Sequence, residues 1–89
     1  MILYEDSIKK AVKKGTLPKE VFKRFNNVFI ALDTTNDLVL FDIKKLKSSE
    51  KRTYYRLRKG KFRAIFYIEK KHYYVVSIAK REKVYKQWE

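Results

Sequence analysis

Four arginines and one tyrosine carry most of the chemistry this sequence can offer. Arg56 and Arg58 lie two residues apart, Arg63 follows beyond Lys59-Gly60-Lys61, and Arg81 precedes Tyr85 by four residues. Guanidinium groups present forked donors that match phosphate oxygens. Bringing several together in water is opposed by their mutual repulsion, so a fold that clusters them is suited to holding an anion. Arg81 and Tyr85 share one side of a short C-terminal helix or turn, where the ring can stack an unpaired base while the charge holds the backbone. Strand positions facing solvent also carry Arg and Lys to discourage edge pairing. That explanation does not cover the further basic pair Lys80-Arg81 after the last strand, and a polyanionic ligand does.

Charge is distributed in the same sense. Residues 44–86 hold sixteen Lys or Arg against three acids, and residues 1–43 hold seven against six, so the net charge of +13 is concentrated in the second half. A focused positive face suits a polyphosphate better than a neutral metabolite. Lys44, Lys45, Lys47, Lys51 and Arg52, with Lys80, are positioned to grip a nucleic-acid backbone, a role that competes evenly with a plain solvated surface for the lysine run. His72 falls in a predicted hairpin turn away from Arg56 and Arg63, which makes it a surface residue rather than a general base. Glu50, Glu69 and Glu82 fall at no paired-carboxylate or metal spacing, and Glu50 and Glu69 read as solvated. Trp88 reads as an anchor of the core. With no cysteine and a single histidine, neither a metal site nor any cofactor is expected.

The elements that must position these residues follow from periodicity. Met1 to Tyr4 reads as an edge strand, and Ile8, Ala11 and Val12 recur at helical spacing in a helix from Asp6 to Lys14, ended by Gly15. Pro18 suits a first helical position, and Val21, Phe25, Val28, Phe29 and Leu32 then form one buried stripe. The short link predicts an antiparallel helical hairpin, closed by the turn-forming run Asp33 to Asp37. Leu38 to Leu46 reads as a short strand or extended connector. Three β-rich runs follow, Thr53 to Arg58, Phe62 to Glu69 and Tyr73 to Ala79, joined by loops too short for crossover helices. Alternation puts Tyr54, Arg56 and Arg58 on one face; on the next strand Phe62, Ala64, Phe66 and Ile68 face the helices, with Arg63, Ile65 and Tyr67 opposite. The fold class is α+β: one domain over residues 1–89, with an N-terminal helical hairpin packed on a small, mainly antiparallel twisted sheet. Glu5 and Asp6 and the absence of an early apolar run argue against a signal peptide or membrane span, which favours the cytoplasm and no membrane partner.

Taken in order, Lys44-Lys45-Leu46-Lys47, Tyr55-Arg56-Leu57-Arg58, Phe62-Arg63-Ala64-Ile65-Phe66-Tyr67, and Arg81 ahead of Val84-Tyr85 resemble the RelE/ParE superfamily of bacterial and archaeal toxins. The helical hairpin with its Leu-Pro-Lys start extends the resemblance over most of the chain. It implies the toxin of a type II toxin–antitoxin pair, which in the RelE branch enters the ribosomal decoding site and cuts messenger RNA by attack of a ribose 2′-hydroxyl on the adjacent phosphate. The implied partners are the ribosome with its message and an acidic, RelB-like antitoxin that covers the basic face. By position, Arg56 and Arg58 would stand where some relatives have lysines for proton transfer or charge stabilisation, Arg63 and Arg81 would stabilise the phosphorane-like state, and Tyr85 would stack on a nucleotide. The chain departs from that pattern in one respect: a guanidinium stays protonated at neutral pH and is a poor general base. Catalysis would then rest on electrostatics and orientation of the 2′-hydroxyl, or on groups of the ribosome, and cleavage of free RNA would be weak. Two other functions remain open on the sequence: a ParE-like toxin that inhibits DNA gyrase, and a non-catalytic basic RNA-binding module.

Overall fold

The computed structural model describes residues 1–46 and 52–88, with the side chains of 85–88 left out. Strand β1 (Ile2–Tyr4) leads into helices α1 (Asp6–Lys14) and α2 (Lys19–Thr35). A 3-10 turn (Leu38–Leu40) precedes β2 (Ile43–Lys45), and β3 (Tyr54–Lys59), β4 (Phe62–Glu69), β5 (His72–Lys80) and α3 (Arg81–Trp88) complete the chain. The sheet order is β1-β5-β4-β3-β2. β1 pairs with β5 in parallel and every other neighbour is antiparallel, so the α+β expectation holds with β1 at an edge.

Pro18 caps α2 from outside, with Lys19 as its first residue. The helix also runs past the predicted turn at Asp33. Thr34 and Thr35 remain helical with their hydroxyls donating to the carbonyls of Ile30 and Ala31, and Asn36 then ends the helix in the left-handed region at φ 56°. Asp33 receives the N-terminal ammonium at 3.0 Å, which ties β1 to α2. The predicted stripe is buried: Phe25, Phe29 and Leu32 pack with Leu57, Ala64, Phe66, Tyr73, Val75 and Ile78. Phe29 meets Phe66 edge to face at 5.1 Å, a pair that adds specificity to the area it removes from water.

Three features correct the sequence reading. Ile68 stands outside the core cluster and is 37% exposed, since it lies one residue from the end of β4. The opposite face is not left to solvent: Ile65 is fully buried with Leu46 and Val84 in a second small core, so α3 covers the far side of the sheet. A β-bulge creates this arrangement. Ile65 pairs with Ser77 but Phe66 with Val75, which leaves Val76 as an extra residue in β5. The bulge shifts the alternation so that Tyr73, Val75 and Ile78 face the helices while Val76 and Ala79 join Ile65. It thereby sets where Lys80 and Arg81 emerge.

Candidate functional site

The β3–β4 turn organises the cationic residues. Lys59 pairs with Phe62, leaving Gly60 and Lys61 as a two-residue loop. Gly60 has φ +61°, a conformation that suits a residue without Cβ. Arg63 folds back onto this turn: its Nη1 donates to the carbonyls of Gly60 and Phe62, both at 2.9 Å, and the residue is only 5% exposed. The carbonyl between them, that of Lys61, accepts the backbone N–H of Arg81 at 3.2 Å. Three consecutive carbonyls thus fix the side chain of Arg63 and the start of α3.

The result is an open cleft of about 520 Å³ lined by Gly60, Lys61, Arg63, Lys80, Arg81 and Glu82. Four cations and one carboxylate surround it. Positive charge clustered around a concave opening focuses the field on an anion entering from solvent. Arg63 and Arg81 therefore come together as the sequence reading expected, and Lys80 joins them. Lys61 and Glu82 were not singled out for this role, although Lys61 flanks the turn glycine directly before Arg63.

The other arginines are placed differently. Arg58 is the cross-strand partner of Arg63, but its guanidinium is ion-paired with the carboxylate of Asp42, and its backbone N–H donates to the Asp42 carbonyl at 3.0 Å. Asp42, ahead of β2, was absent from the sequence-based site. Arg56 lies on the same face, opposite Ile65 on β4 and Lys44 on β2, and does not line the cleft. The expectation that all the guanidiniums share one pocket is met only by Arg63 and Arg81.

Arg52 lies over the ring of Tyr67 at 4.2 Å with Nε 3.7 Å from Glu69. Its hydrogen bond with Tyr54 above all favours the charged form. Glu69 is therefore partnered rather than merely solvated. Tyr54, Tyr67 and Tyr74 form a lateral ladder across β3, β4 and β5, with centroids 5.7 Å and 4.9 Å apart. Lys44 and Lys45 are exposed on β2, at the opposite edge from β1. Lys47 and Lys51 lie outside the described residues, as does the side chain of Tyr85, whose backbone is four residues along α3 from Arg81. His72 faces Glu69 across the β4–β5 hairpin, edge-on to Tyr74, and is not part of the cleft. Among the described residues no group of three or more potential ligands could hold a metal ion, and no helix is long and apolar enough to cross a membrane.

No protein-family model and no curated protein matches the chain. Solved structures do. A chain of the RelB–RelE antitoxin–toxin complex from Methanococcus jannaschii superposes with a TM-score of 0.71 and 25% identity, covering 94% of this chain and 95% of that one. A chain of the archaeal RelE–RelB complex from Pyrococcus horikoshii OT3 gives a TM-score of 0.71 at 24% identity, covering 90% and 92%. The likeness runs over nearly the whole length of each partner in the comparison.

Proposed function

We propose that this chain, whose α+β fold is RelE-like over 94% of its length, is the toxin of a toxin–antitoxin pair and acts in the cytoplasm as a ribosome-dependent mRNA endonuclease. The observation that carries this reading is the cleft where Lys61, Arg63, Lys80 and Arg81 surround one opening beside the β3–β4 turn. In the reaction a ribose 2′-oxygen attacks the adjacent phosphorus, the bond to the 5′-oxygen breaks, that oxygen takes a proton from solvent water, and the products are a 2′,3′-cyclic phosphate and a 5′-hydroxyl. Negative charge on the non-bridging oxygens grows toward the phosphorane-like state. Donors fixed in advance are worth more there than in the ground state, and that difference is what lowers the barrier.

Arg63 supplies a guanidinium held by turn carbonyls, Arg81 and Lys80 supply charge from the β5–α3 junction, and Glu82 is the lining carboxylate that takes the 2′-hydroxyl proton. Tyr85 stacks on a neighbouring base. Arg56 holds the RNA backbone from the adjoining strand with Lys44 and Lys45, and Arg58 is restrained by Asp42. The partners are the ribosome with its message and an acidic, RelB-like antitoxin drawn to the same positive face.

The test is a reconstituted translation reaction. Addition of the protein should cut ribosome-bound message and leave 5′-hydroxyl ends, with the same RNA intact when ribosomes are omitted. Undiminished translation would overturn the assignment, and loss of gyrase supercoiling with translation untouched would move the chain to the ParE branch.

A further inference from the structure

The turn that holds both cleft arginines has a second side. Between α2 and the β3–β4 hairpin lies another pocket, about 300 Å³ in volume, with Val21, Phe25 and Phe62 as its apolar part and Arg24, Lys59 and Lys61 as its cationic part. Among the described residues no carboxylate is within ion-pair distance of Arg24, Lys59 or Lys61, and Glu20, one helical turn before Arg24, does not line the pocket. An apolar recess of this size ringed by uncompensated cations is complementary to a large apolar side chain flanked by carboxylates. A nucleic-acid strand fits it less well, because the buried Phe25 offers a base no ring face to stack on.

Gly60 and Lys61 line both this pocket and the cleft. The Gly60 carbonyl accepts from Arg63 and the Lys61 carbonyl from the Arg81 N–H. Any displacement of the turn by an occupant on the α2 side is therefore imposed on the donors of the cleft. We propose that this pocket receives an apolar side chain from an acidic segment of the silencing partner, and that its occupation is transmitted through the β3–β4 turn to Arg63 and Arg81. The identity of the partner rests on the toxin assignment; the pocket and its coupling do not. By linkage, an anion held in the cleft alters the affinity of the pocket by the same factor as the reverse.

The probe is a capped peptide Glu-Asp-Phe-Glu-Asp, compared with the same peptide carrying Ala in place of Phe. Amide shifts followed by heteronuclear NMR should map the Phe peptide to Val21, Phe25 and Phe62 and, across the turn, to the Arg81 amide. The Phe peptide should bind roughly tenfold more tightly than the Ala peptide, which corresponds to about 1.4 kcal/mol. Arg24→Glu, at an exposed position outside the cleft, should weaken the Phe peptide about tenfold and leave translation inhibition unchanged. Equal binding of the two peptides would reduce the pocket to surface electrostatics and overturn the proposal, as would binding that leaves Arg81 unshifted. If the protein fails to inhibit translation while the Phe peptide binds as described, the endonuclease assignment falls and the pocket stands.

Discussion

Replacing Arg63 and Arg81 separately should divide two effects that either substitution alone would confuse. Arg63 is 5% exposed and donates to two turn carbonyls at 2.9 Å. A hydrogen bond from a charged group contributes about 1.5–3 kcal/mol, and Arg63→Ala removes two while also relieving repulsion from Lys61, Lys80 and Arg81. The net destabilisation should be about 1–3 kcal/mol, with Tm falling by about 4–8 °C for each kcal/mol in a domain of this size. Arg81 is exposed, and its bond to the Lys61 carbonyl comes from the backbone, so Arg81→Ala keeps it. Its stability should stay within about 0.5 kcal/mol of the parent.

On ribosome-bound message each variant loses one donor to the developing charge, a loss of about 2.7–4 kcal/mol or 10²–10³-fold in rate by comparison with oxyanion-type donors. Thermal denaturation followed by circular dichroism, with single-turnover cleavage, reads both quantities. Arg63→Lys keeps the charge but not the fork, and should recover stability less completely than charge alone would predict. The reasoning is refuted if Arg63→Ala melts with the parent, or if Arg81→Ala cleaves at the parent rate.

Glu82→Gln should slow single-turnover cleavage by about 10²-fold or more, while substrate affinity is unchanged or improved by loss of a negative charge; an unaltered rate would assign the proton to another group. Burial pushes the Tyr4 hydroxyl up from 10.0 to about 12, and it donates to Asn26 Oδ1 at 2.9 Å. Above pH 10 the unfolded chain loses this proton before the native one does, so stability present below pH 10 should decline toward pH 12, by about 1–2 kcal/mol after allowance for partial solvation. Tyr73, raised by burial and by Asp33, adds in the same direction, so Tyr4→Phe should flatten the alkaline decline in urea titrations without abolishing it. Lys70 and Lys71 both have positive φ, 50° and 67°, in the two-residue β4–β5 turn. Lys71→Gly should therefore raise stability by about 0.5–1 kcal/mol in the same titrations.

Local signals carried far along this chain. The stripe from Val21 to Leu32 and the alternation of β3 and β4 are short-range patterns, and they place Arg63 with Arg56 and Arg58 on the face away from α1 and α2. What escaped the sequence depends on contacts between distant segments. Nothing near Ile65 announces that Val84 and Leu46 will bury it, and the bulge at Val76 is invisible in a run where two adjacent valines suit either face of a strand equally. The pairing of Arg58 with Asp42 requires β2 to lie beside β3, a register that the irregular stretch from Leu38 to Leu46 does not specify. The burial of Arg63 is not legible in the sequence, because alternation reports which face a side chain leaves from, not that it will curl back onto its own turn. Thr34 and Thr35 resemble turn residues in composition yet satisfy their hydroxyls within the helix, and α2 runs three residues past Leu32, the last of its apolar stripe.

The most direct measurement maps the 5′ ends produced from a message carrying a single 2′-deoxy nucleotide at the attacked position in the ribosomal decoding site. If the cationic cleft beside the β3–β4 turn stabilises internal attack on phosphorus, the protein cuts the all-ribose message there and leaves the substituted one whole. Cleavage at the same bond in both messages would contradict that chemistry.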